Sequence, residues 1–316
     1  MTGTGLPELA AAVSRAGGLG IVAIHNFGTT EEACRAGIRK TRELCEGKPF
    51  GVNLTILPAA TPPPYDMYMR VMVEEGVKIA ETAGSDPTKY VQFFKQNGMV
   101  TIHKCTSIRH ALKAERVGTD IISLDGFECA GHPGEDDVGN FVLQARGLQT
   151  LKVPYIASGG VAAGSQLAAA LAMGADGVNC GTLFCVTKES VWHENQKKAV
   201  VEGDELDTTL VLRPLRNTSR VFKNSVSMGV VAVQDEKGSK MQFGDVASLM
   251  AGKRGRVNVE RDGNIDDGVS RLLYNMIFIR TTFVLFTIYN TFGYKSNNNI
   301  LKTFFIIIIY ETHKLT

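Results

Sequence analysis

The sequence lacks charge bias: 34 basic and 32 acidic side chains leave a formal net charge of +2. That balance removes the electrostatic reason to expect nucleic acid or an anionic membrane as partner. The start, Met1-Thr2-Gly3-Thr4-Gly5, has no basic stretch followed by an apolar run, so secretion is not expected. Cysteine is sparse, and its six copies (34, 45, 105, 129, 180, 185) form no Cys-x-x-Cys pair and no zinc-ligand spacing. They read as reduced thiols in a cytoplasmic compartment, and no structural metal is expected. No G-x-G-x-x-G dinucleotide fingerprint is present. What is there is 44% apolar and 21% charged, the profile of a soluble globular chain. At 316 residues it can bury the core of one large barrel or of two ordinary domains.

One unit recurs. A helical pattern ends in glycine, one to three residues follow, and a short apolar run begins. Glycine suits the end of a helix because the left-handed conformation there costs it no Cβ clash. Gly17, Gly47, Gly76, Gly98, Gly118 and Gly174 precede runs at 19–24, 50–56, 77–81, 99–104, 120–125 and 176–180. A seventh run, 154–158, is entered through Pro154. Amphipathic segments such as 107–117 and 166–173 lie between them. Alternation of short buried strands with helices argues for a parallel sheet. A doubly wound sheet is the rival, but the units continue evenly without the change of pattern expected at a switch point.

The fold expected is therefore α/β, a TIM-type (β/α)8 barrel lacking its first strand. Residues 5–16 are already helical in pattern, so the missing strand would precede them. The barrel is assigned to residues 1–190. From about 191 the strand rhythm stops, and helical patterns such as 218–227 and 243–251 predict a small helical subdomain over the barrel mouth, 191–268. The last stretch, 269–316, is rich in Ile, Phe and Asn and reads as a disordered tail. Its longest apolar run, 304–310, is far shorter than the ~18 residues needed to span a bilayer, so no membrane is expected.

Two loops carry the phosphate chemistry. Ser158-Gly159-Gly160 follows one strand and Gly181-Thr182 follows the next, with 23 residues, one βα repeat, from Ser158 to Gly181. In a barrel both lie side by side on the C-terminal face, where phosphates commonly bind. Glycines let backbone N–H groups approach a phosphate, and Ser158 and Thr182 add hydroxyl donors. Tight βα turns also favour Gly and Ser, so the loops alone do not specify the phosphorylated ligand.

A longer signature narrows the field. Asp125-Gly-Phe-Glu-Cys-Ala-Gly-His-Pro-Gly-Glu-Asp-Asp137 resembles the signature of nitronate monooxygenases. Further stretches match in order, among them Gly51-Val-Asn-Leu-Thr-Ile-Leu-Pro58, Glu81-Thr-Ala-Gly84, Ile102-His-Lys-Cys-Thr106, Asn179-Cys-Gly-Thr182 and Leu215-Arg-Asn-Thr218. The resemblance covers roughly residues 5–268. It implies FMN as cofactor and O₂-dependent oxidation of alkyl nitronates, of the propionate 3-nitronate type, to a carbonyl compound and nitrite. It implies FMN contacts at Thr55, Lys104, Ala130, Ser158, Gly159, Gly160, Gly181 and Thr182, and His132 as the active-site base. The alternatives are an FMN-dependent NAD(P)H reductase of enoyl thioesters or quinones, and an inactive flavin-binding fragment.

Chemistry alone agrees at several of these positions. Lys104 ends a strand at the barrel mouth, where a cation could stabilise negative charge on a reduced ring. His132 sits seven residues beyond a strand end, on the catalytic face, and histidine moves protons near neutral pH. Cys129 and His132 could form a nucleophile pair, though nothing else supports one. Glu135, Asp136 and Asp137 read as first-turn residues of a following helix. Arg213, Arg216 and Arg220 read as one solvated helical face. His25, His103, His110 and His193 have no partner pattern, so core or surface roles are expected.

Overall fold

The computed structural model describes residues 4–56, 62–250 and 258–266. Seven parallel strands form one sheet in chain order: β1 (Gly20–Ala23), β2 (Phe50–Ile56), β3 (Ile79–Gly84), β4 (Val100–Cys105), β5 (Ile121–Asp125), β6 (Tyr155–Ser158) and β7 (Gly177–Asn179). Each expected strand is present. The glycines that close the preceding helices take positive φ as the sequence required, Gly17 at 96° and Gly118 at 95° among them.

Helices α1 (Pro7–Arg15), α2 (Glu31–Leu44), α3 (Tyr65–Glu74), α4 (Thr88–Gln96), α5 (Ile108–Arg116), α6 (Asn140–Thr150) and α7 (Gly164–Ala172) alternate with the strands. Thr30 caps α2 and Ser107 caps α5, each side-chain oxygen accepting a backbone N–H three residues on. The core lies between strands and helices. Val52 and Leu54 of β2 pack with Ile38 of α2 and Met72 of α3. Leu124 of β5 packs with Leu143 of α6 and Val178 of β7.

The sheet curls. Asn179 on β7 approaches Glu81 on β3 with Nδ2 3.4 Å from Oε2, although β3 and β7 stand four places apart in the sheet. Only a sheet rolled toward closure brings those side chains together. Among the described residues β7 and β1 do not pair, so the architecture is a TIM-type barrel of seven strands with an open seam.

Past the short α8 (Thr182–Cys185) and α9 (Glu194–Glu202) the structure departs from expectation. Residues 218–227 are not one helix. An antiparallel hairpin of β8 (Thr208–Val211) and β9 (Ser219–Phe222) comes first, then α10 (Ser225–Lys237), capped by Asn224. Burial along β9 alternates with a period of two, which is why it extends as a strand. α11 (Ala247–Met250) ends this region, and residues 269–316 lie outside the described ones. No helix among the described residues is long and apolar enough to cross a membrane.

Candidate active site

A cavity of about 710 Å³ opens at the C-terminal ends of the strands. Thr55, Lys104, Ala130, His132, Ser158, Gly159, Gly181 and Thr182 all line it. Gly160 is the exception: it does not line the cavity, its carbonyl accepts the Gln166 amide N–H and its φ is +76°. Gly159 is fixed by packing as well as conformation. A Cβ there would lie 2.9 Å from Cys129 Cβ and 3.0 Å from the Gly126 carbonyl oxygen, at a φ of +89°. The β6 loop thus rests directly on the loop that carries His132.

Beneath the mouth, polar side chains from five strands form a connected network. Thr55 Oγ1 donates to Asn53 Oδ1 at 2.7 Å, and Asn53 Nδ2 donates to Glu81 Oε1 at 2.7 Å. Asn179 Nδ2 reaches both Glu81 and Ser123 Oγ at 3.4 Å. Ser123 Oγ donates to Asp125 Oδ1 at 3.1 Å, and Lys104 Nζ lies 3.2 Å from Asp125 Oδ2. Burial disfavours the Lys104 ammonium, but the Asp125 and Glu81 carboxylates outweigh it and hold the group charged beyond the usual lysine range. Asn53, Glu81, Ser123, Asp125 and Asn179 were not among the expected site residues. Their signal was a polar residue inside a short apolar strand, where burial demands a partner.

The histidines differ in kind. His103 is buried, its Nδ1 2.8 Å from Thr82 Oγ1, and burial pushes its pKa down to about 4, so it stays neutral. It and His110 line the cavity, although core or surface roles were expected for both. His25 Nε2 donates to the Thr55 carbonyl oxygen at 3.0 Å, and His193 caps α9. His132, half-buried on the loop between β5 and α6, lines the same cavity. Cys129 is buried, and burial pushes its thiol well above the ordinary range, which argues against a nucleophilic thiolate.

Two expectations are corrected here. α6 starts at Asn140, so Glu135 and Asp137 are not first-turn residues. Glu135 accepts the Thr218 N–H and hydroxyl, and Asp137 pairs with Arg213 at 2.6 Å. Nor do the three arginines share a helical face. Arg213 lies in a 3₁₀ turn, Arg216 takes the left-handed conformation, and Arg220 is on β9 with its guanidinium over the Phe127 ring.

The residues present suit a flavin mononucleotide. Hydroxyls at Ser158 and Thr182 stand beside Gly159 and Gly181 for a phosphate, and Lys104 offers a cation held by carboxylates rather than spent on solvent. The cavity is large enough for a cofactor with a small substrate beside it.

Fold and site together define a TIM-type barrel with a polar interior and a histidine at its mouth. The comparisons with known proteins agree. The family described as nitronate monooxygenase matches residues 1–230, and the chain belongs to that family, whose known character is that of flavoproteins. It is 29% identical over 267 residues to a nitronate monooxygenase of Paraburkholderia phytofirmans, covering 71% of this chain and 72% of that one. It is 35% identical over 204 residues to a hydroxy-methyl-oxo-octahydro-indene-carboxyl-CoA dehydrogenase of Rhodococcus jostii, covering 65% of this chain and 55% of that one. The chain thus spans little more than half the length of that relative. Among solved structures it superposes on FabK from Thermotoga maritima with a TM-score of 0.76 at 32% identity, covering 86% and 82% of the two chains. For nitroalkane oxidase from Streptomyces ansochromogenes the TM-score is 0.69 at 26% identity, with 85% of each chain covered.

Proposed function

We propose that this chain is an FMN-dependent oxidoreductase that uses O₂ to convert alkyl nitronates, of the propionate 3-nitronate type, to a carbonyl compound and nitrite. The observation that carries the reading is the joint placement of His132, Lys104 and the two phosphate loops around one cavity. Ser158, Gly159, Gly181 and Thr182 hold the phosphate, while Thr55, Ala130 and Lys104 face the rest of the cofactor. FMN, when bound, supplies the redox chemistry with O₂. The protein supplies charge and proton handling. Lys104, kept cationic between Glu81 and Asp125, stabilises negative charge that develops beside it. His132 removes the α-proton of a neutral nitroalkane, a step that a nitronate does not need.

The test is an absorbance spectrum of the purified chain with FMN, before and after propionate 3-nitronate, with O₂ uptake and nitrite measured together. A flavin spectrum with nitrite release is the expected result. A second reading has its own support, the likeness to a CoA-thioester dehydrogenase and to FabK. That reading makes the chain an NAD(P)H-dependent thioester reductase. Rapid anaerobic bleaching by NADH or NADPH, with no turnover of the nitronate, would replace the first reading with the second.

A further inference from the structure

Residues 126–139 form a fourteen-residue loop with neither helix nor paired strand inside it beyond one isolated bridge at Gly131. Gly131 and Gly134, with φ of +82° and +83°, put a permissive joint on each side of the proline-restricted pair His132-Pro133. Within the loop Phe127 N–H donates to the Val138 carbonyl at 2.9 Å and Cys129 N–H to the Gly126 carbonyl at 2.8 Å, and the ties nearest His132 come from elsewhere in the chain. Gly131 N–H donates to the Arg220 carbonyl at 3.3 Å, and Arg220 N–H donates back to the Gly131 carbonyl at 2.7 Å. The Arg220 guanidinium donates through Nη2 to the Phe127 carbonyl at 3.1 Å and through Nη1 to Thr208 Oγ1 on β8 at 3.0 Å. Its Cζ lies 4.8 Å from the centre of the Phe127 ring. On the far side of His132, Thr218 donates its N–H and hydroxyl to Glu135 at 2.9 and 2.6 Å, and Arg213 pairs with Asp137. Residues 127, 131, 135 and 137 are all tied to one hairpin and the turn inside it.

The hairpin contributes no residue to the cavity wall. Its hydrogen bonds and ion pair toward the cavity run to this loop. We propose that the β8–β9 hairpin sets the position of His132, with Arg220 as the principal positioning residue and the Glu135–Thr218 pair as the second anchor. This rests on the reading of His132 as the base. Arg220 suits the part because one planar fork spans both β8 and the loop while its face covers Phe127, which a lysine cannot do. A displacement of about 1 Å at a catalytic group can cost on the order of 10²-fold in rate.

The test compares Arg220→Ala, Arg220→Lys and Glu135→Gln with the unmodified chain, with and without FMN. Amide hydrogen exchange of residues 126–137 is read beside that of the β6 and β7 loops. The rate constants are read on a neutral nitroalkane and on its nitronate. Expected is exchange of residues 126–137 faster by about tenfold or more in Arg220→Ala, with the β6 and β7 loops unchanged. The kcat on the neutral form should fall by about tenfold or more at nearly constant KM, with Arg220→Lys falling between. Unchanged exchange overturns the proposal, and so does faster exchange with kcat intact. Should Arg220→Ala not fold, Arg220→Lys and Glu135→Gln decide by the same two readouts. If His132→Ala leaves proton abstraction untouched, the base assignment fails instead, and the exchange data still decide whether the hairpin holds the loop.

Discussion

Glu81, Asp125 and Lys104 share the barrel interior, and one cation there faces two carboxylates that are 6% and 7% exposed. Removing it takes away the positive charge that both face, leaving them only neutral hydrogen-bond donors. Lys104→Met should lower stability by about 2–3 kcal/mol, below the full cost of breaking a buried pair because Lys104 keeps some solvent. Urea unfolding checks this, and Lys104→Met with Asp125→Asn should recover part of the loss. Strictly additive losses would mean the two groups do not interact. His103 makes a pH prediction. Burial lowers its folded pKa to about 4 from 6.5, so below pH 6.5 the unfolded chain takes up a proton that the folded chain refuses. Its contribution is fully present above 6.5 and is lost as pH falls toward 4, by about 2 kcal/mol at pH 5. His103→Gln should flatten that part of the stability profile, and an unchanged slope would assign it to other groups. His132→Ala should cut turnover of a neutral nitroalkane by ~10²–10⁴-fold while a pre-formed nitronate loses much less. Equal losses in steady-state O₂ uptake would make His132 a binding residue. Thr55, Lys104 and the two glycine loops could be read from strand ends and turns, and Ala130 and His132 from the family resemblance, but how the polar residues beneath them connect could not. Nothing in the spacing of Glu81 and Asn179 says that β3 and β7 meet across a curled sheet.

At the scale of elements, close approach explains one glycine that no turn requires. Gly20 in β1 would carry a Cβ 1.8 Å from the Ala10 carbonyl oxygen of α1. That contact is with backbone, so neither side can yield without moving a helix or a strand. Gly20→Ala should therefore cost about 3 kcal/mol, at the upper end for overpacking, and a shift of the urea midpoint measures it. A shift close to zero would mean that α1 slides freely on β1. The seven strands were legible because a glycine after each helix and a short apolar run are both local signals. The hairpin was not, because β9 is four residues long and its period-two burial is too brief to stand against the helical spacing that runs on into α10. The acidic run at 135–137 was misread for a related reason. Charge before a helix suits its dipole, whereas partners 76 and 83 residues away, Arg213 and Thr218, leave no local trace.

For the molecule as a whole, the seam between β7 and β1 decides how the sheet opens. β4 has hydrogen-bonded neighbours on both sides, whereas β1 and β7 each have one. β7 is also the shortest, three residues paired only with β6. The segment before α1 partly spans the seam at the cavity end. Gly5 accepts the Ala23 N–H of β1 at 3.0 Å, and Thr4 Oγ1 accepts the buried Trp192 Nε1–H at 3.2 Å. β1 is thus held at its C-terminal end by a main-chain bond to something other than β2, whereas among the described residues β7 is tied beyond β6 through the Asn179 side chain, at 3.4 Å from Glu81 and Ser123. Native-state hydrogen exchange should show a gradient, slowest in β3 to β5, faster in β1 and fastest in β7 by about tenfold or more. FMN should reverse part of that order. Its phosphate loops follow β6 and β7, so cofactor binding should protect β7 more than β1, through binding to the folded state alone. Exchange in β7 as slow as in β4 before any FMN is added would show that another segment pairs with its open edge. Equal protection of β1 and β7 by FMN would place the cofactor's main hold elsewhere than on the loops of Ser158 and Thr182.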